Sequence, residues 1–135
     1  IIDILEPRLN AYYVPRDLPT VGGPGQVLEM PMVVMCAQTS YSNAEMFPNA
    51  MRTRGLAKLV GMPTPGYVIY TSGARLIDGT SIRIPGTGVF RLDGSNLEND
   101  GVVPDFLVEV RPEDFFAGRD PQLDKAIDVL LSQIK

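Results

Sequence analysis

A mixed α/β layer structure is expected from three features of this 135-residue sequence. Met32-Val33-Val34-Met35-Cys36-Ala37 and Ala57-Lys58-Leu59-Val60 are short, largely apolar runs, the signature of strands covered on both faces. From Ser42, between them, the apolar spacing changes to that of a helix. Two-residue turn signals follow, and the sequence closes on an amphipathic helix that needs a surface to lie on. Strand, helix, strand, hairpins and helix in that order make a layered α/β arrangement. The length fits a single domain spanning residues 1–135.

In chain order, Ile1 to Leu9 suits a short helix end, and Pro15 to Pro24, with Pro19 and Gly22-Gly23 inside it, reads as a loop. In the helix after Ser42, Phe47, Ala50, Met51 and Arg54 fall at helical spacing, and Gly55 is placed to end it. Pro48 removes one backbone hydrogen bond inside that helix, which predicts a kink. Gly61 to Gly66 is a turn. Tyr67–Thr71, Arg75–Ile77 and Ser81–Ile84 are strand-like and separated by Ser72-Gly73 and Asp78-Gly79. Val89–Leu92 adds a strand before Asp93-Gly94, and Phe106–Val110 another after the turn Gly101–Asp105. Asp120 caps the last helix, Pro121 takes its first position, and Leu123, Ala126, Ile127, Leu130 and Ile134 line one face.

Hydrophobic residues at 44% and charged residues at 21% exclude disordered and fibrous classes. A net charge of -4 argues against a nucleic-acid partner, which would show a basic face. No apolar run approaches the ~20 residues that span a bilayer, and no signal-peptide pattern opens the chain. Ile1-Ile2-Asp3-Ile4-Leu5, with no initiating Met, reads as a helix already under way, so the sequence is expected to be a fragment and its compartment stays open. There is no His and one Cys. An intrachain disulfide and a self-contained Ser-His-Asp triad are therefore excluded, and the usual ligands of zinc and copper are missing. Cys36 reads as a small buried hydrophobe, and the six Met as core filler.

Ser42 carries two readings. Ser42-x-x-Glu45 is a capping box, in which the hydroxyl meets the Glu45 amide and the carboxylate reaches back. The same strand–turn–helix geometry also exposes a serine at a sheet edge, where adjacent amides and the positive helix end stabilise an oxyanion. A nucleophilic serine needs a base, and none stands near it in the sequence.

Pro31 to Gly55, P-M-V-V-M-C-A-Q-T-S-Y-S-N-A-E-M-F-P-N-A-M-R-T-R-G, resembles the nucleophile segment of the tricorn and C-terminal-processing serine peptidases. Ser42 stands at the nucleophile position and Glu45 at the acidic one. Val60-Gly61-Met62-Pro63-Thr64-Pro65-Gly66 resembles the family's V-G-x-x-T-x-G turn, Asn96–Asp105 its late loop, and Gly118–Ile127 the tricorn-type C-terminal signature. Tyr67 stands where the processing branch carries its Lys, which places the chain on the tricorn-type branch.

The resemblance implies a crotonase-like α/β spiral of short strands backed by helices, with added β-hairpins, and makes this chain the C-terminal part of a tricorn-like catalytic domain. It implies peptide-bond cleavage through an acyl-enzyme on Ser42, with the Asn43 N–H at the oxyanion and Glu98 orienting an upstream Ser-His pair. The His and a second oxyanion amide would come from segments before residue 1, leaving the fragment inactive by itself. The implied substrate is a peptide or unfolded protein extended along a sheet edge, the full-length protein would be a homo-oligomer, and no cofactor or metal is required. Tyr41 and Asn43 replace the small residues usual beside the nucleophile, and Pro48 and Pro65 are additions to the pattern. Tyr41 is placed to narrow the cleft. Tyr67 reads as a strand residue with a solvated hydroxyl, and Arg52 and Arg54 as a solvated helix end. The alternative is a peptide-binding or scaffold homologue that kept the fold without the chemistry.

Overall fold

The computed structural model describes residues 1–8, 11–14, 16–23, 28 and 30–134. Its centre is a parallel three-stranded sheet in the order β3 (Val33–Cys36), β4 (Lys58–Gly61), β7 (Phe106–Leu107). Parallel neighbours need a crossover, and α2 (Asn43–Thr53) supplies it between β3 and β4. Helix α2 ends as its sequence requires, with Gly55 at φ 66 just past the cap residue Arg54. Pro48 lies buried within it.

The pleat of β4 divides the core. Leu59 packs on one side with Cys36, Val68, Leu97 and Val102, and Val60 on the other with Ala126 and Val129. Both β4 side chains have no exposed area. Strand β3 joins both clusters, Val34 the first and Val33 the second, although Met35 is exposed. The mixed α/β arrangement with parallel and antiparallel sheets is the one the sequence predicts.

The final helix, α4 (Pro121–Gln133), is capped by Asp120, whose Oδ1 accepts from the Leu123 N–H at 3.0 Å. The predicted buried stripe is displaced around it. Ala126 and Val129 are buried, whereas Leu123, Ile127 and Ile134 are exposed. Contact with β3 and β4 selects which side of the helix is covered, and the smaller side chains allow the close approach.

Several local expectations are corrected. Ser72-Gly73 is no turn: both residues lie inside β5 (Tyr70–Arg75), where Gly73 pairs with Arg83 of β6 (Ser81–Thr87). The reversal falls at Asp78-Gly79, where the Asp78 carboxylate accepts from the Thr80 N–H at 2.9 Å, a bond that holds its pKa below the usual carboxylate value. Val89–Leu92 forms no strand. Phe90 makes a single bridge to Asn96, because Phe90 and Leu92 point to solvent and only Val89 packs on the core. Strand β7 stops at Leu107, where its partner β4 ends.

The expected loop at Pro15–Pro24 contains β2 (Val21–Gly23), paired antiparallel with β1 (Ala11–Tyr13). Pro15 and Pro24 lie outside the described residues. Helix α1 spans Ile2–Leu5, shorter than the reading to Leu9, which also lies outside them. A short helix, α3 (Pro112–Phe116), precedes α4. Met51 is core filler as expected, but Met30 and Met35 are exposed.

Gly61 closes β4 at φ 126, and a Cβ there would run into the Cys36 carbonyl oxygen of the neighbouring strand. Gly61→Ala should therefore lower the unfolding free energy by at least about 2 kcal/mol, read from urea denaturation.

Candidate active site

The chain leaves β3 through a tight turn in which the Ala37 N–H donates to Ser40 Oγ at 3.1 Å and the Ser40 N–H returns to the Ala37 carbonyl at 2.9 Å. Ser42 then takes φ 58, ψ -121, a conformation ordinarily left to glycine, immediately before α2 begins. Among the described residues only Ser42 and Asn99 are non-glycine with positive φ, and they lie on two loops that meet here. Ser42 is half-buried and Asn43 exposed. No acceptor takes the Asn43 N–H among the described residues.

Glu45 braces this turn. Its side chain has no exposed area, yet every face of the carboxylate is occupied. Oε1 accepts from the N–H groups of Tyr67 at 2.7 Å and Ser42 at 3.3 Å, and Oε2 from the Gly66 N–H at 2.7 Å and the Thr64 hydroxyl. A buried carboxylate is tolerated when its lone pairs are met in this way. The capping box the sequence predicts is thus formed in both directions. The carboxylate reaches back to the Ser42 N–H, and the Ser42 side chain meets the Glu45 amide, which also donates to the Ser42 carbonyl at 2.8 Å.

Thr64 carries the brace onward. Its Oγ1 accepts from the Val102 N–H at 2.8 Å while its own N–H donates to the Val102 carbonyl at 3.1 Å. Gly101, at φ 69, packs against the Thr64 carbonyl so closely that no side chain fits.

Glu98 lies on the loop entering that contact. Its Oε2 accepts from the Val68 N–H at 2.5 Å and the Ile69 N–H at 2.8 Å. The carbonyl of the same Tyr67–Val68 peptide unit accepts from the Ser42 N–H at 2.9 Å. One peptide plane therefore joins the Ser42 backbone to the Glu98 carboxylate, and the turn, Asn43 and Glu98 lie in one neighbourhood. Among the described residues no donor reaches Glu98 Oε1.

Tyr41 and Tyr67 stand exposed beside this turn, Tyr67 in an extended segment ahead of β5 rather than within a strand. Arg52 and Arg54 are not simply solvated: Arg54 pairs with Glu6 at 2.6 Å and Arg52 donates to the Val103 carbonyl at 2.5 Å. Burial pushes the Cys36 thiol above its usual pKa, so it offers no thiolate nucleophile. Sequence reasoning missed the bracing roles of Glu45 and Thr64. Thr64 could have been found within the V-G-x-x-T-x-G turn, where a hydroxyl can both donate and accept.

A strained serine between a parallel strand and a helix, braced by a buried carboxylate, marks an α/β domain with a candidate nucleophile turn. The chain belongs to peptidase family S41, whose model matches residues 8–108. It is 36% identical over 138 aligned positions to tricorn protease homolog 1 of Streptomyces coelicolor, covering 100% of this chain and 13% of that protein. It is 37% identical over 106 positions to the tricorn protease of Thermoplasma acidophilum, covering 77% of this chain and 10% of that protein. The crystal structure of the tricorn protease superposes with a TM-score of 0.87 at 31% identity, over 98% of this chain and 13% of that one.

Glu45→Gln keeps the shape but sets an NH₂ against surrounding donors. It should destabilise the domain by about 3 kcal/mol in urea unfolding. Thr64→Val should cost less, about 1–3 kcal/mol, because it orphans the Val102 amide but leaves the charge its other donors.

Proposed function

We propose that residues 1–135 form one domain, the C-terminal part of a serine-peptidase catalytic domain that cleaves peptide bonds through an acyl-enzyme on Ser42. The observation that carries this reading is the Tyr67–Val68 peptide unit, which receives the Ser42 N–H on its oxygen and gives its own N–H to Glu98. Nucleophile and positioning carboxylate are thereby fixed to one rigid plane.

Ser42 Oγ attacks the scissile carbonyl carbon, and its proton passes to a His imidazole supplied by a segment before residue 1. The unoccupied Asn43 N–H, at the positive end of α2, donates to the oxyanion, joined by a second amide from a Gly-rich turn in that upstream part. Collapse expels the amine with the imidazole's proton, and water then attacks the acyl carbon to restore Ser42. Glu98 uses its open Oε1 to orient the imidazole through an upstream Ser. No step calls on a metal or cofactor, and the isolated chain, lacking the base, is inactive.

The substrate is a peptide or unfolded protein extended along a sheet edge, not a nucleic acid. The parallel sheet is one part of a crotonase-like spiral completed by upstream strands. The full-length protein forms a homo-oligomer, a reading supported by the apolar stripe Leu123, Ile127 and Leu131 left exposed on α4.

In the full-length protein a fluorophosphonate probe should label Ser42, and Ser42→Ala should abolish labelling and lower kcat/KM at least about 10³-fold on a fluorogenic peptide. Labelling that survives the substitution moves the nucleophile elsewhere. A folded full-length protein that binds peptide but never labels is the scaffold homologue.

A further inference from the structure

We infer that Arg91 is a positioning residue for the active site: its guanidinium spans both ends of the Asn96–Gly101 loop and so sets where Glu98 sits. This rests on the peptidase reading above. Nζ-type point contact would not do this; the planar guanidinium does, because it directs donors to several acceptors at once. Arg91 Nη1 donates to Ser95 Oγ at 3.1 Å and to the Asn96 carbonyl at 3.4 Å, at the entry of the loop. Nη2 donates to the Gly101 carbonyl at its exit and pairs with Asp100 at 2.7 Å. The Arg91 side chain is 19% exposed against 65% for Asp100, so the cation is turned inward over the loop.

Two backbone features make the loop dependent on such a clamp. Asn99 holds φ 63, a strained value that persists only where neighbours enforce it. Gly101 abuts Thr64, so a shift at the exit would push on the Thr64–Glu45 brace. Glu98 itself is located by its N–H on Asn96 Oδ1 at 3.0 Å and by the adjacent Asn99 N–H on the Gly66 carbonyl at 2.8 Å. Among the described residues Arg91 is the one side chain that bonds both sides of Glu98 within this loop. Among the described residues none of its side-chain hydrogen bonds goes to Ser42 or the Tyr67–Val68 peptide, so its effect on chemistry passes through Glu98.

The test uses the full-length protein and two independent readouts for Arg91→Ala, Arg91→Lys, Glu98→Gln and the Arg91→Ala/Glu98→Gln pair. By hydrogen exchange, Arg91→Ala should speed the Val68 and Ile69 amides about tenfold, as Glu98→Gln does, with α4 amides unchanged. By peptide hydrolysis, Arg91→Ala should lower kcat by up to about 10²-fold with KM held, and the pair should fall no further than Glu98→Gln alone. Arg91→Lys keeps the charge beside Asp100 but loses the fork, and should remain impaired. Unchanged protection at Val68 and Ile69 overturns the clamp. A kcat loss that multiplies with that of Glu98→Gln, or that appears in KM instead, overturns the route through Glu98. If Ser42→Ala keeps full activity, the peptidase reading fails while the exchange measurement still decides the clamp.

Discussion

The Glu45 carboxylate is the interaction on which this structure turns. It is a formal charge with no solvent exposure, and it is stable because four donors from the Ser42 turn and the Thr64–Tyr67 segment converge on it. That convergence is also a constraint. Satisfying the charge fixes the start of α2 against the segment leading into β5, so the strained backbone of Ser42 has no cheaper conformation to relax into. Thr64 extends the constraint to Val102, joining the third segment of the site through one hydroxyl that donates one way and accepts the other.

Beneath this polar layer, the sheet supplies rigidity. β4 is covered on both faces and pairs with parallel strands on both edges, so the turn leaving it at Gly61 starts from a fixed point. The positive φ values at Ser42 and Asn99 sit on loops tied to that frame rather than within it. Strain concentrates where packing and hydrogen bonds enforce it, and both strained residues adjoin groups assigned chemical roles: Ser42 itself and Glu98.

Much of this was legible in the sequence because it is local. The apolar runs gave β3 and β4, Ser42 and Gly55 bracketed α2, Asp78-Gly79 marked the hairpin reversal, and Asp120-Pro121 began α4. Each signal acts over four or five residues, the range of a cap, a turn or one helical repeat. The order of the motifs from Pro31 onward also points to the peptidase family. Where local signals misled, a distant partner had overruled them: Ser72-Gly73 stayed extended because β6 pairs along its length, and α4 buried Ala126 and Val129 because β3 and β4 chose the face.

By itself, then, the sequence determined the elements near the serine, their caps and the absence of an internal imidazole base. Tertiary structure alone decided that Glu45 braces the turn, that Glu98 reaches the same peptide unit as Ser42, and that Arg91 spans the loop between. The donors to Glu45 lie 19 to 22 residues beyond it, apart from the Ser42 amide, and those to Glu98 lie 29 and 30 residues before it. Hydrogen bonds across such separations depend on how strands and loops meet in space, which no short-range pattern of residue types encodes.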